Sequence, residues 1–282
     1  MTLCLDAGHY GNYNRSPGVA DYYESRVMWQ LHLLLKEELE RRGVEVKTTR
    51  ADPEKDMGLT DRGRAARGCQ LFLSLHSNAV GSRMDENTDY VAIYHLTEDA
   101  GTTADDRSKA LAQQLAPVIA RVMDTRQGSK VLTRKASTDK NKDGVLNDNY
   151  YGVLNGARQV NVPGLILEHS FHTNSRSANW LLNPENLRAL AAAEAEVIAA
   201  FLETGEEVTY TLELTTLKKG MKGEAVRALQ ILLSGRGVAC DPDGSFGPAT
   251  DKALRTYQKQ AGLTVDGKAG PKTMKALLGV TA

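Results

Sequence analysis

Two histidines and two glutamates stand where the local pattern calls for apolar residues. His9 follows the run Leu3 to Leu5 through Asp6-Ala7-Gly8, His76 closes Leu71 to Leu75, and Glu168 closes Leu165 to Leu167. Glu24 heads a stripe with Val27, Met28, Leu31 and Leu35, a spacing that puts all five on one side of a helix. Two neutral imidazoles and one carboxylate make a three-ligand set for zinc with the fourth position open. Zinc lowers the pKa of water in that position to roughly 7. A carboxylate outside the set can take the water's proton and return it to a leaving amine. The spacing alone is not specific, because no HExxH pair is present. Each residue also has a plainer explanation. A lone histidine at a strand end is often structural, and Asp21-Tyr22-Tyr23-Glu24 reads as a D-x-x-E capping box with Asp21 as N-cap. From the residues alone, capping and metal binding by Glu24 both stay open.

Bringing these side chains together needs a particular frame. The three apolar runs read as buried strands, and if they are parallel neighbours, His9, His76 and Glu168 emerge at one carboxyl edge, where open α/β sheets bind ligands. Ser25 to Arg42 has helical periodicity and ends at Gly43. Val44 to Thr48 and Tyr90 to Tyr94 read as strands, and Ser108 to Met123 and Glu185 to Leu202 as helices. The rhythm predicts an α/β fold, a sheet covered by helices.

Glu203 to Leu217 is rich in Glu and Thr without a period and reads as a linker. Helices are expected at Ala225 to Leu233, Ala249 to Gln260 and Pro271 to Leu278. This last part repeats D-G-x-x-G-P-x-T, at Asp243 to Thr250 and again at Asp266 to Thr273. Each copy is a turn followed by a helix with Pro at its first position. So small a module suits binding better than catalysis. The expected division is therefore 1–203, a linker at 204–216 and a module at 217–282.

Composition excludes several classes. The 282 residues carry 35 basic and 35 acidic side chains, a net charge of zero, without the basic excess that nucleic acid calls for. No segment approaches the ~20 apolar residues of a membrane span, and no signal peptide pattern precedes Leu3. Cys4, Cys69 and Cys240 are far apart and read as free thiols rather than a disulfide framework. Asp139 to Gly144 resembles the start of a calcium loop, but Tyr150 stands where the bidentate Glu belongs.

The segments Leu5-Asp6-Ala7-Gly8-His9, Glu24, Thr49-Arg50, Leu59-Thr60-Asp61-Arg62, Leu71 to Ala79 and Val162 to Asn174 come in the order and rough separation of a known family. Over residues 2 to 203 the chain resembles the zinc-dependent N-acetylmuramoyl-L-alanine amidases of the type-3 family, which include bacterial autolysins and phage endolysins. The resemblance implies a mixed sheet flanked by helices, one zinc ion on His9, Glu24 and His76, and Glu168 as the catalytic base. It implies cleavage of the amide between the lactyl group of N-acetylmuramic acid and L-alanine of the peptidoglycan stem. Asn78, His169 and Asn174 are the expected substrate contacts, and His172 adds a further imidazole nearby. Arg67-Gly68 departs from the Ala-Asn common in the family, and Lys130 to Tyr151 is longer than usual. Residues 217 to 279 resemble a type-1, three-helix peptidoglycan-binding module. The expected partner is thus the bacterial cell wall, with neither nucleic acid nor membrane insertion. A phage lysin, or a spore or mature-form enzyme, would need no visible leader.

Overall fold

The computed structural model describes residues 1–96, 103–139, 146, 148–204 and 216–278. The chain divides into two compact units, Met1–Val208 and Thr209–Ala282. The expected linker, apart from its end residues, lies outside the described residues, as does the calcium-like stretch after Asp139.

The first unit is built on a six-stranded sheet: β1 (Thr2–Ala7), β2 (Glu45–Thr48), β3 (Leu71–Asn78), β4 (Val91–His95), β5 (Ser129–Leu132) and β6 (Gly164–Phe171), ordered β2-β1-β3-β6-β4-β5. β2, β1, β3 and β6 run parallel. β4 is antiparallel to β6, and β5 runs parallel to β4, so the sheet is mixed. The helices are α1 (Glu24–Arg41), α2 (Leu59–Arg64), α3 (Thr103–Met123), α4 (Gly152–Gln159), α5 (Ser175–Leu182) and α6 (Pro184–Thr204).

Strand alternation sorts the two faces. Leu3, Leu5, Leu71, Leu73, Leu75, Leu165 and Leu167 pack with the apolar stripes of α1, α3 and α6. The opposite face packs Cys4, Phe72 and Ile166 against Val153, Leu154 and Ala157 of α4. Farther along the strands this second face turns polar, at Asp6, Ser74, His76 and Glu168. Registers Asp6↔Ser74 and His76↔Glu168 put those residues side by side. α2 lies close on α4 because both helices carry glycine at the crossing. A Cβ on Gly63 would sit 2.0 Å from the Val153 carbonyl, and one on Gly156 would sit 2.1 Å from that of Thr60.

α1 begins at Glu24 itself, with Tyr23 at the N-cap position and no side-chain cap. The capping box is therefore corrected: Asp21 does not cap α1, and the Glu24 carboxylate is spent elsewhere. α2, α4, α5 and β5 are additional to the elements expected from sequence. All three cysteines are free, with Cys4 and Cys69 buried. Burial pushes the Cys4 thiol up to about 12, which leaves it inert as a nucleophile.

The second unit contains α7 (Glu224–Gly235), α8 (Pro248–Gln260) and α9 (Pro271–Leu278), packed on Leu217, Val226, Leu229, Leu233, Phe246, Leu254, Tyr257 and Leu277. The repeated motif is a repeated clasp. Buried Gln230 donates to Asp243 Oδ1 (2.8 Å), the Ser245 carbonyl (3.1 Å) and Thr250 Oγ1 (2.9 Å), and accepts from Gly244 N–H (2.8 Å). Gln258 does the same with Asp266 Oδ1 (2.8 Å), the Lys268 carbonyl (3.0 Å), Thr273 Oγ1 (3.3 Å) and Gly267 N–H (3.0 Å). Each glutamine satisfies a turn that would otherwise leave buried polar groups unpaired.

Candidate metal centre

His9, Glu24 and His76 meet at the carboxyl edge of the sheet. One ligand-capable atom from each lies within 4.8 Å of the others. The Glu24 carboxylate is the hub. His76 Nδ1 is 2.8 Å from Oε1 and His9 Nε2 is 3.4 Å from Oε2. Glu24 is only 1% exposed, and its oxygens also accept from Ser77 N–H (3.1 Å) and Asn14 Nδ2 (2.6 Å). Burial alone would push this carboxyl up, but hydrogen bonds and charge from His76 and His9 outweigh it and hold it well below the usual range. Two imidazoles and a buried carboxylate are a donor set that fits zinc, and the cluster opens to solvent through His9.

The backbone is shaped around this cluster. His9 adopts φ 59°, an uncommon left-handed conformation for a non-glycine residue. Arg62 Nη2 braces it by donating to the His9 carbonyl at 3.2 Å. A Cβ on Gly8 would lie 2.3 Å from His76 Cε1, so only glycine lets that ring lie against β1. β3 shifts register between His76 and Asn78, and His169 reaches across from β6 to donate from Nδ1 to the His76 carbonyl at 2.9 Å.

Glu168 pairs in register with His76. It is almost wholly buried, and its Oε2 has no hydrogen-bond partner among the described residues. Burial, and then the charge of Glu24, raise its pKa well above the ordinary carboxylate value. A carboxyl tuned upward and left with one oxygen unspent has the properties of a general base and acid.

A family model described as N-acetylmuramoyl-L-alanine amidase matches residues 3–200. The chain belongs to the N-acetylmuramoyl-L-alanine amidase family. A second model, described as a putative peptidoglycan binding domain, matches residues 222–277. The chain is 46% identical over 65 residues to a zinc D-Ala-D-Ala carboxypeptidase of Streptomyces albus G, covering 22% of this chain and 26% of that protein. It is 44% identical over 71 residues to the N-acetylmuramoyl-L-alanine amidase CwlL of Bacillus licheniformis, covering 24% of this chain and 20% of the relative. The matches thus span about a quarter or less of those curated relatives. Among solved structures, an N-acetylmuramoyl-L-alanine amidase from Clostridium difficile 630 superposes with a TM-score of 0.58 at 21% identity, over 73% of this chain and 98% of that one. The catalytic domain of CwlV from Bacillus (Paenibacillus) polymyxa var. colistinus gives 0.54 at 19%, over 72% and 98%. At these identities the likeness is one of fold, and the mixed sheet flanked by helices is that fold.

Two of the residues expected to contact substrate, His169 and Asn174, lie inside the protein. His169 is fully buried, with Nδ1 on the His76 carbonyl and Nε2 2.7 Å from Glu194 Oε1. Burial lowers its pKa, but the Glu194 charge and hydrogen bond outweigh burial and raise it. Asn174 is also fully buried and caps α5, accepting from Ser177 N–H at 3.2 Å. Both side chains are fully buried, and neither presents a polar atom to solvent. Asn78 stays partly exposed at the end of β3, with Oδ1 accepting from Ala79 N–H. His172 packs beneath the cluster. Its Nδ1 donates to the Ser77 carbonyl at 2.9 Å, and its ring lies 5.8 Å from that of Tyr22.

Asn14 was not anticipated. It sits at φ 51° between His9 and α1, with Nδ2 2.6 Å from Glu24 and 3.1 Å from His9 Nε2. The readable signal is weak: asparagine tolerates the left-handed turn such a loop requires.

Proposed function

We propose that this chain hydrolyses the amide bond between the lactyl group of N-acetylmuramic acid and L-alanine of the peptidoglycan stem peptide. His9, Glu24 and His76 hold one zinc ion, and Glu168 is the catalytic base. The observation that carries this reading is the convergence of those three side chains beside a buried glutamate with an unspent oxygen, in a chain of the amidase family. When bound, zinc supplies a Lewis acid for the scissile carbonyl and makes water more acidic. Glu168 takes the proton of the attacking water as its oxygen adds to the carbonyl carbon. It then returns that proton to the amide nitrogen, which leaves as the amine of L-alanine. Glu24, held by Asn14 and Ser77, keeps the two imidazoles aimed at one point. Asn78 is assigned to the substrate, a reading supported by its partial exposure where β3 ends.

Product chemistry tests this. Digestion of purified peptidoglycan is expected to release new N-terminal L-alanine together with free lactyl carboxyl groups. New N-termini on any other residue would move the cut to a peptide bond within the stem and overturn the assignment.

The proposed organisation is a catalytic domain at 1–203, a linker at 204–216 and a wall-binding module at 217–282. The module raises the local concentration of enzyme on an insoluble polymer. Removing residues 205 to 282 is expected to reduce co-sedimentation with insoluble walls and leave zinc content unchanged. Undiminished co-sedimentation would show that residues 217–282 are not the wall-binding part.

A further inference from the structure

A second line of buried polar groups runs under the metal centre and is not part of it. Asp6, on β1, is fully buried. Its Oδ1 accepts from Thr49 Oγ1 at 2.6 Å and lies 3.5 Å from the guanidinium of Arg62, itself 2% exposed. Its Oδ2 accepts from Ser74 Oγ at 2.7 Å. Ser74 is fully buried, and its Oγ is in turn 3.1 Å from His76 Nε2.

The direction of each hydrogen bond follows from valence. A carboxylate only accepts, and a serine hydroxyl has one hydrogen to give. Asp6, paired with a buried arginine, takes the Ser74 hydrogen. The Ser74 oxygen is then left to accept, so the hydrogen between it and His76 must sit on Nε2. That places the lone pair of the neutral ring on Nδ1, the atom 2.8 Å from Glu24 Oε1. Two acceptors face each other at that distance only when a proton or a metal ion lies with them, and in the zinc-bound ring that cation is the metal.

We propose that Asp6 and Ser74 are positioning residues that fix the tautomer of His76, with Nε2 protonated and Nδ1 presented as the zinc ligand. The proposal rests on the zinc reading of His9, Glu24 and His76. Arg62 completes the arrangement. Besides pairing with Asp6, it donates to the carbonyls of Ala7 (3.1 Å) and His9 (3.2 Å). One buried guanidinium thus braces the backbone of one histidine ligand and, through Asp6 and Ser74, the ring of the other. An outer partner that sets ring orientation and tautomer tunes metal affinity without touching the metal.

The test uses the full chain and three proteins: wild type, Ser74→Ala, and Thr49→Ala. The last removes an equally short hydrogen bond to the same carboxylate without interrupting the line to His76. Zinc affinity is read by competition with a chelator, with circular dichroism confirming the fold. Ser74→Ala is expected to weaken zinc binding about 10–100-fold, while Thr49→Ala stays close to wild type. Independently, imidazole nitrogen resonances of the zinc-loaded wild type are expected to show His76 bound through Nδ1 with a protected Nε2–H. Wild-type zinc affinity in folded Ser74→Ala, equal losses in both variants, or coordination of His76 through Nε2 would each overturn the proposal. If Ser74→Ala does not fold, the nitrogen spectrum still tests the tautomer, and His76 bound through Nε2 overturns the proposal. A wild-type chain that binds no zinc would instead remove the reading beneath it.

Discussion

Glu168→Gln is expected to keep zinc bound while lowering turnover about 10²–10⁴-fold, the span that a positioned general base contributes. Glutamine has nearly the same shape, so the β3–β6 register around His76 is retained. What it lacks is a basic oxygen able to take a proton. The expectation follows from Oε2, which is buried beside the cluster and has no hydrogen-bond partner among the described residues, so no side chain there already holds it. Metal analysis beside turnover checks it, and loss of zinc in this variant would make Glu168 a ligand. Stability gives a second reading. The Glu168 pKa is raised by burial and by Glu24, so the unfolded chain gives up this proton more readily than the folded one. As pH climbs from the unfolded carboxyl pKa toward the raised folded value, the ionised form increasingly favours unfolding. The metal-free Glu168→Gln chain should therefore be at least as stable at neutral pH as metal-free wild type. A clear drop in melting temperature would contradict that and point to a partner for Glu168 in the folded state.

Glu24→Gln should have the opposite signature: zinc binding lost, and turnover lost with it. Glu24 touches both imidazoles and is the only negatively charged member of the three-residue set. Replacing it removes a ligand and the one charge that offsets a divalent cation. Affinity should fall by well over the roughly 10–100-fold that follows loss of an outer partner. A residue that merely ended a helix would cost about 1 kcal/mol of stability and leave metal affinity alone. The two outcomes are far enough apart that one chelator titration separates them. Near-normal zinc binding in Glu24→Gln would sink the ligand assignment.

These two glutamates show where sequence was readable and where it was not. The strands carrying His76 and Glu168 were legible because both faces are covered, which leaves continuous apolar runs that a polar residue interrupts visibly. Their parallel adjacency was a condition of that reading, which the β1–β3 and β3–β6 pairings meet. Glu24 was different, because a carboxylate three residues after an aspartate writes the same string whether it closes a capping box or turns inward to a metal. Only the start of α1 at Glu24, with Tyr23 before it, separates the two. α2 and α4, of 6 and 8 residues, are too short for their periodicity to stand out. Their contact depends on two glycines far apart in sequence. The burial of His169 was not legible, because its partner Glu194 comes from α6, 25 residues away. Ser74 lies inside an apolar run where a small hydroxyl attracts no notice, and its meaning comes from Asp6 on the adjacent strand.

The paired glutamine clasps bear on how the second unit comes apart. α8 supplies Thr250 to the first clasp and Gln258 to the second, so one helix is the closing wall of one half and the opening wall of the other. Neither half can open while the other stays whole, because melting α8 releases both buried amides at once. Hydrogen-exchange protection in the two turns, at Gly244 and Gly267, should then rise and fall together as one cooperative block.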